Sequence, residues 1–366
     1  MAEPVSSLLP NATIGIIGGG QLGRMLASSA AQLGFRTIVL EPQPECPAAQ
    51  LCNRQIVAAY DDEDALTELA QLADVVTYEF ENVPLTSADI VARHVALYPP
   101  SRALQVAQDR LAEKKFLDDL GAAIAPHRPI ATVDDLEHAL SELGGGVLKT
   151  TRMGYDGKGQ HVFTRDRAVS RAELQATLEQ LGGITGQRNW VLEQLIDFEF
   201  EFSIVAARSI DGAVVSFDPA RNTHENGILR RSHVPSRLSK DDEKMAAGHV
   251  ETIMKALDYV GVIGVEFFKS DEGIVVNEIA PRVHNSGHWT VEACATSQFE
   301  QHIRAIAGLP LGSPHRHADC IMTNLLGHEA DDITQALAQA QTKVTLYGKA
   351  EARDGRKMGH MVQVLP

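Results

Sequence analysis

The chain has 366 residues, a formal charge of −15 and 44% hydrophobic residues. This length is enough for two or three domains, and the acidic balance argues against a non-specific nucleic-acid binder, which needs a basic surface. The sequence contains no run of about 18 apolar residues, so we expect no membrane-spanning helix. The first residues also lack the basic and apolar segments of a secretory signal. We therefore expect a cytoplasmic protein without a membrane segment.

The first part of the chain alternates short apolar strands with helical stretches. This alternation is typical of βαβ units, in which parallel strands form one sheet. We predict an α/β domain over residues 1–105. Its predicted strands cover residues 13–17, 37–40, 55–58 and 75–78, and its predicted helices cover residues 21–33, 62–73 and 85–95.

From residue 101 the pattern changes to a mixed α+β one. We predict a central domain over residues 106–311 and a small β domain over residues 312–366. The predicted central helices cover residues 109–120, 240–257 and 291–307, and the predicted strands cover residues 146–149, 190–196, 199–207, 262–269 and 274–279, with two more at 342–347 and 359–365.

A glycine-rich loop, GGGQLG, follows the first strand and opens the first helix. It matches the GxGxxG pattern of dinucleotide-binding proteins, and Glu41 stands near the position of the acid that binds ribose in them. An NAD-dependent oxidoreductase is therefore one interpretation. Glycines at a helix N-terminus would serve a single phosphate equally well.

A second loop, GYDGKGQ over residues 154–160, follows a strand that ends in Lys149. Its glycines and cations are suited to closing over phosphates, although the GxxxxGK[ST] order of a P-loop is absent. Further on, the apolar strand that carries Glu193 is typical of a purine-binding hinge. These features favour a nucleoside triphosphate over a dinucleotide as the ligand.

The predicted hairpin at residues 262–279 carries two acids in apolar strands, Glu266 and Glu278. We expect a three-residue loop over residues 271–273 that pairs Ser270 with Ile274, because Gly273 suits the left-handed position of such a loop. This register places both carboxylates on one face. Two such carboxylates are suited to magnesium held against nucleotide phosphates. A two-residue loop would place them on opposite faces.

The segment VVNEIAPRVHNSGHW, at residues 275–289, combines an acid with Arg282, His284, Asn285 and His288. These residue types make a poor hydrophobic core. They suit a site that holds a metal and an anion together.

These motifs, in this order, resemble the ATP-grasp superfamily of carboxylate–amine ligases. GGGQLGRM, YEFENVP, GYDGKGQ, NEIAPRVHNSGHWT and GRKMGH together resemble the 5-(carboxyamino)imidazole ribonucleotide synthases over nearly the whole chain. The resemblance implies an ATP-grasp fold with an N-terminal parallel-sheet (preATP-grasp) domain and a small C-terminal β domain. It also implies carboxylation of 5-aminoimidazole ribonucleotide by bicarbonate and ATP, through carboxyphosphate, with Mg²⁺ or Mn²⁺. A homodimer and transient hand-off of the product to a mutase are further expectations.

The resemblance also implies roles for individual residues. ATP would be bound by Arg110, Lys149, Gly154, Tyr155, Asp156, Gly157, Lys158, Gly159, Gln160, Glu193, Gln194, Leu195, Ile196, Glu201, His224, Asn277 and Glu278. The metal would be held by Glu266 and Glu278, and the catalytic group would be Arg282, His284 and Asn285 around bicarbonate, with Lys149. The ribonucleotide would contact Gly20, Gln21, Leu22, Glu81, Tyr155, Asp156, Lys158, Lys349 and Arg356. Glu79 and Glu199 remain alternatives to Glu81 and Glu201.

Other functions remain open at this level. Another ATP-grasp ligase, such as a formate-dependent glycinamide ribonucleotide transformylase or a biotin carboxylase, would share the nucleotide site. A non-catalytic nucleotide-binding regulator would not need both Glu266 and Glu278.

Overall fold

The N-terminal unit is a four-stranded parallel sheet with strand order β3-β2-β1-β4 and helices packed on it. The computed structural model describes residues 7–154, 157, 159–185 and 189–365. The predicted βαβ pattern of this unit is confirmed. Its elements are β1 (Thr13–Ile17), α1 (Gln21–Gln32), β2 (Arg36–Leu40), β3 (Arg54–Ile56), α2 (Glu63–Leu72), β4 (Val75–Tyr78) and α3 (Leu85–Ala92).

Two helices lead from this unit into a small antiparallel sheet with order β5-β8-β6-β7. The second helix begins at a capped N-terminus, where the Asp109 carboxylate accepts from two backbone amides. These elements are α4 (Ser101–Ala107), α5 (Arg110–Asp119), β5 (His127–Ile130), α6 (Val133–Leu143), β6 (Gly146–Thr150), β7 (Gln160–Phe163), α7 (Arg171–Thr185) and β8 (Trp190–Glu193).

The strand predicted over residues 190–196 ends at Glu193, so its last three residues were predicted wrongly. The backbone leaves the ladder there because Gln194 N donates to Pro126 O (2.8 Å) instead of to a neighbouring strand of the sheet. The Leu195 carbonyl accepts from Arg165 (3.0 Å). The segment after Glu193 is therefore a loop held by both backbone and side-chain hydrogen bonds.

The central part is built on a large antiparallel sheet, one face of which is covered by a long helix. Its second hairpin turns at Asn226 and Gly227, both with positive φ, as a type I′ turn requires. The elements are β9 (Phe200–Arg208), β10 (Val214–Ser216), β11 (Ala220–Glu225), β12 (Ile228–Val234), α8 (Lys240–Ala256), β13 (Gly261–Ser270), β14 (Gly273–Ala280), α9 (Thr290–Ala293) and α10 (Gln298–Ile306).

The single helix predicted over residues 291–307 is wrong, because the chain forms two helices there. Cys294 is extended and pairs with Arg316, which interrupts the helical hydrogen bonding. Ser297 then caps the second helix by accepting from Glu300 N (3.1 Å).

The tail strands extend the same large sheet, whose order is β14-β13-β9-β11-β12-β15-β17-β16 with β10 beside β9. Residues of α1 (Leu22 and Leu26), of α10 (Phe299) and of the tail (Tyr347) share one hydrophobic core. This core joins the N-terminal sheet to the region where the tail turns back. The tail elements are β15 (Cys320–Leu326), α11 (Thr334–Leu337), β16 (Thr342–Leu346) and β17 (Lys357–Val364).

Within the described ranges, no helix has both the length and the apolar character needed to cross a membrane. The predicted domain boundaries at residues 105 and 311 stay predictions.

Candidate active site

Two carboxylates face each other on the β13–β14 hairpin, as predicted: Glu266 is paired with Glu278. The predicted three-residue loop is wrong, because Ser270 pairs with Gly273 across a two-residue turn. A bulge between Glu266 and Phe267 compensates, since Val276 pairs with Phe267 and Asn277 is left as an extra residue. The bulge therefore returns the two acids to one position of the ladder.

The two carboxyl groups share a buried site that resists two negative charges. Burial and the nearby Glu278 raise the pKa of Glu266 to about 7. Burial also disfavours the charge on Glu278, but Arg110, at 3.2 Å, outweighs it and lowers the pKa of that carboxyl. Such a pair fits a divalent cation that would compensate the second charge. Together the two acids supply part of a coordination shell, which substrate phosphates would complete.

One face of helix α5 contacts three consecutive residues of β14, Asn277 to Ile279. Its residues 110, 113 and 114 are spaced to lie on that face. Arg110 contacts the Glu278 carboxylate, and the Ile279 amide donates to Glu113 (2.6 Å). Lys114 donates to the Asn277 carbonyl (3.0 Å). Among these α5 residues, only Arg110 is predicted from the sequence.

The Glu193 carboxylate, at the end of β8, is ion-paired with two lysines. Its Oε2 lies 2.9 Å from the Lys149 ammonium and 3.3 Å from that of Lys114. Although burial alone would raise the pKa of Glu193, Lys149 and Lys114 lower it to about 2. The other oxygen, Oε1, is buried and has no hydrogen-bond partner.

Glu201 lies on β9, where its carboxylate contacts the His224 imidazole of the neighbouring strand β11. Burial lowers the pKa of His224, but Glu201 and Glu266 raise it further, so the net shift is upward. A cationic His224 would add positive charge next to the carboxylate pair. The alternative acid, Glu199, forms a backbone hydrogen bond in which its N–H donates to Lys269 O (2.7 Å).

The anion side of the site begins two residues beyond β14. The Arg282 guanidinium donates to the Glu81 carboxylate and to the Val283 carbonyl (3.1 Å). Burial would raise the pKa of Glu81, but Arg282 lowers it to about 2. A guanidinium has five N–H donors, more than these two acceptors use, so Arg282 can also bind an anion.

His284 is neutral at physiological pH. Burial and the neighbouring Arg282 lower its pKa to about 3. Its Nε2 lies 3.5 Å from Glu266 Oε1, and its Nδ1 lies 2.8 Å from Ser286 Oγ. The Ser286 hydroxyl continues into a buried chain of hydrogen bonds through Ser203 (2.6 Å). This chain orients the ring towards the carboxylate pair.

Gln298, which no sequence pattern indicates, fixes the loop that carries His284. Its side chain accepts from His284 N (2.8 Å) and donates to His284 O (2.7 Å). Both side-chain amide atoms of Asn285 are buried and without a hydrogen-bond partner, so they are available to a ligand. A glutamine that lies 14 residues away gives no sequence signal for such a contact.

The glycine loop before α1 is filled by the protein's own carboxylates. Glu79 accepts from the amides of Gly20 and Gly23 (2.5 Å for the latter), and Glu41 accepts from Gly19 N (2.9 Å). A pyrophosphate on this helix N-terminus would have to displace these acids. Glu41 therefore acts here as a cap of the loop, which argues against the NAD interpretation.

Lys349 and Arg356 lie in the connection between β16 and β17. Lys349 donates to Lys357 O (2.7 Å), and Arg356 donates to Glu351 O (2.9 Å). Gln50 links this connection to α1, because it donates to Gly348 O (2.9 Å) and accepts from Arg24 (2.6 Å). The tail cations are thus tied to the N-terminal unit that carries Gln21 and Leu22 at the start of α1.

Part of the predicted phosphate loop, namely Tyr155, Asp156 and Lys158, lies outside the described residues. Of the rest, Gly157 (φ 75°) lies against the β11–β12 turn, where an added Cβ would approach Asn226 O to 2.8 Å. Gly159 O accepts from Thr150 N (2.9 Å), which joins the loop to the end of β6. Gly154 is the last described residue before the gap at residues 155–156, and Gln160 begins β7.

Three family models match successive parts of the chain. They describe a ribonucleotide synthetase preATP-grasp domain (residues 11–108), an ATP-grasp domain (115–299) and a phosphoribosylaminoimidazole carboxylase C-terminal domain (320–365). An N5-carboxyaminoimidazole ribonucleotide synthase from Brucella melitensis is 52% identical over 99% of this chain and 98% of its own length. The chain belongs to this family of ATP-grasp ligases.

Other members of the family are also similar to this chain in sequence and in fold. The Bacillus subtilis N5-carboxyaminoimidazole ribonucleotide synthase is 40% identical, over 97% of this chain and 92% of its own. An N5-carboxyaminoimidazole ribonucleotide synthetase solved as an ADP complex has a TM-score of 0.92 at 40% identity, over 98% of this chain and 94% of its own.

The Aspergillus clavatus N5-carboxyaminoimidazole synthase, solved with ADP and 5-aminoimidazole ribonucleotide, has a TM-score of 0.88 at 30% identity, with 97% and 94% covered. The predicted fold class and family are confirmed, and the NAD interpretation is wrong.

Proposed function

We propose that this protein uses ATP and bicarbonate to carboxylate 5-aminoimidazole ribonucleotide, releasing ADP and phosphate, in purine biosynthesis. The observation that carries this proposal is the placement of Glu278 and Arg282 on either side of the end of β14. A site for metal-bound phosphates and a site for a small anion are thereby only a few residues apart. Activation of bicarbonate by phosphoryl transfer needs this proximity.

On the nucleotide side, ATP phosphates would lie between Arg110 and Lys149, against the Glu266–Glu278 pair. Magnesium, or manganese in its place, would be held by these two carboxylates and would neutralise charge on the transferring phosphoryl group. Glu193 and residues 194–196 would hold the adenine edge, because the strand ends there and Oε1 of Glu193 has no hydrogen-bond partner within the protein. Glu201, paired with His224, would bind the ribose.

On the anion side, Arg282, His284 and Asn285 would hold bicarbonate. Arg282 supplies fixed positive charge, and His284, being neutral, supplies a hydrogen bond without adding a second charge. A bicarbonate oxygen attacks the γ-phosphorus, the bond to the β-phosphate oxygen breaks, and ADP leaves. The product is carboxyphosphate, whose phosphate is a good leaving group.

The exocyclic amine of the ribonucleotide then attacks the carboxyl carbon, the bond to phosphate breaks, and the amine loses a proton. Carboxyphosphate is lost quickly in water, so the site must exclude solvent. We infer that residues 154–160 close over it, with Gly157 against the β11–β12 turn as the described contact. No residue has to act as a covalent nucleophile.

The ribonucleotide's phosphate would bind between the start of α1 (Gly20, Gln21 and Leu22) and the tail cations Lys349 and Arg356. The link through Gln50 supports this, because it joins the tail to α1. Because the Glu79 carboxylate accepts from the Gly20 amide, it would have to move aside when this phosphate binds. Glu81 would face the imidazole end, since it is paired with Arg282, whereas Glu79 holds the loop amides. A homodimer, a cytoplasmic location and transient hand-off to a mutase remain predictions.

The test is ADP release by the full chain. We expect release that depends on both 5-aminoimidazole ribonucleotide and bicarbonate. Formate in place of bicarbonate, with glycinamide ribonucleotide, separates the transformylase alternative. ADP release with formate and not with bicarbonate would contradict the proposal.

A further inference from the structure

We propose that Lys114 is a positioning residue that holds the purine-binding carboxylate Glu193 and the metal-binding strand β14 in register, and so sets nucleotide affinity and purine selectivity. This inference rests on the proposed nucleotide site. Lys114 has no role in the proposed chemical steps.

The Lys114 side chain is almost fully buried, with 1% of its area exposed. A buried ammonium is costly unless it is paired and hydrogen-bonded. Its two acceptors come from different sheets: Glu193 Oε2 at 3.3 Å in the small sheet and Asn277 O at 3.0 Å in the large one. One buried cation therefore bridges the two sheets that would enclose the nucleotide.

The contact on the large sheet falls on the bulge that aligns the carboxylate pair. Asn277 is the extra residue of that bulge, and Lys114 binds its carbonyl. Glu113 and Arg110 bind the next two residues, Ile279 through its amide and Glu278 through its carboxylate. Helix α5 thus transmits the position of the small sheet to the metal-binding strand.

The contact on the small sheet orients Glu193. Because Lys114 and Lys149 both bind Oε2, the buried Oε1 is left with no hydrogen-bond partner. A buried unpaired acceptor favours a ligand that brings a donor. The 6-amino group of adenine is such a donor, whereas guanine presents a carbonyl at the same position. If Lys114 is removed, Glu193 can turn, and this discrimination should weaken.

The experiment compares Lys114→Met with Lys115→Met in the full chain. Lys115 is a matched control on the same helix, because its side chain is 75% exposed and pairs with Asp119. Calorimetry measures the Kd for ADP and for GDP with Mg²⁺, and thermal unfolding measures stability. Steady-state assays with 5-aminoimidazole ribonucleotide give kcat and the KM for ATP.

For Lys114→Met we expect roughly a 10- to 100-fold weaker Kd for ADP, as for other lost buried charge pairs. The ADP-to-GDP preference should fall by about tenfold, and the KM for ATP should rise more than kcat falls. Lys115→Met should match the wild type. Equal loss of ADP and GDP binding, or none, would overturn the proposal, because a purely structural residue would not alter selectivity.

Lys114→Gln is the second variant if the methionine form does not fold. Its amide can still donate to Asn277 O but carries no charge for Glu193, so selectivity should fall while folding is kept. Failure of both variants to fold would assign Lys114 to folding alone and overturn the proposal. Absence of ADP binding in the wild type would instead contradict the proposed nucleotide site.

Discussion

Glu266 and Glu278 face each other across β13 and β14 although the turn between the strands has only two residues. The bulge at Asn277 restores the alignment that a simple two-residue hairpin would lose. The bulge residue is also the one whose carbonyl Lys114 binds, so the metal-binding geometry depends on a contact from outside the hairpin.

Glu278→Gln tests the carboxylate pair. The amide keeps the shape but removes a negative charge that would bind the metal. We expect the magnesium concentration for half-maximal activity to rise by roughly tenfold or more. Glu272→Gln, in the exposed turn of the same hairpin, is the control. An unchanged magnesium titration in the Glu278 variant would count against the metal site.

Arg282→Lys tests the anion site. Lysine keeps the charge, but its single ammonium cannot replace the planar set of donors that reaches Glu81 and Val283 together. The kcat/KM for bicarbonate should fall by about 100-fold while the Kd for ADP stays the same. Arg128→Lys, in an exposed pair with Glu142, serves as control. Normal bicarbonate-dependent turnover would refute the assignment.

Glu113→Gln tests the pH dependence of stability. Burial raises the pKa of Glu113 to about 7 in the folded state. A raised carboxyl pKa means that stability is fully present below the unfolded value near 4.5 and is lost as pH rises through about 7. Glutamine still accepts from Ile279 N but does not ionise. Urea unfolding at pH 5 and pH 8 should therefore show the variant gaining up to about 3 kcal/mol relative to the wild type. A pH-independent difference would contradict this.

Gly20→Ala tests the glycine loop. Gly20 has φ −75°, so the backbone tolerates alanine, but the added Cβ would lie 2.7 Å from Glu79 Oε1. Glu79 must move, and we expect a higher KM for 5-aminoimidazole ribonucleotide with unchanged ADP binding. The control is Gly248→Ala in α8, where a Cβ meets nothing within 4 Å. That control should stabilise the protein by about 0.5–1 kcal/mol. An unaltered KM in the Gly20 variant would remove the loop from the substrate site.

The sequence by itself determined the family, the alternating N-terminal unit and most of the residues proposed for the site. It did so because glycine loops, strand-end carboxylates and the segment around Arg282 are local patterns whose chemistry can be read from adjacent residues. The position of Glu266 opposite Glu278 followed from the same local reading, although the loop length assumed for the hairpin was wrong. The strand that carries Glu193 was also predicted, but it ends at Glu193 and not at residue 196.

Only the tertiary structure decided which charges meet. Lys114 lies 163 residues from the Asn277 carbonyl that it binds, and Glu81 lies 201 residues from Arg282. Local periodicity holds no information about such pairs, because they form only where segments far apart in the sequence pack together. The same reason applies to three other features of the site. These are the bulge at Asn277, the hydrogen bond from the glycine loop to Glu79 and the hydrogen bonds between Gln298 and the His284 backbone.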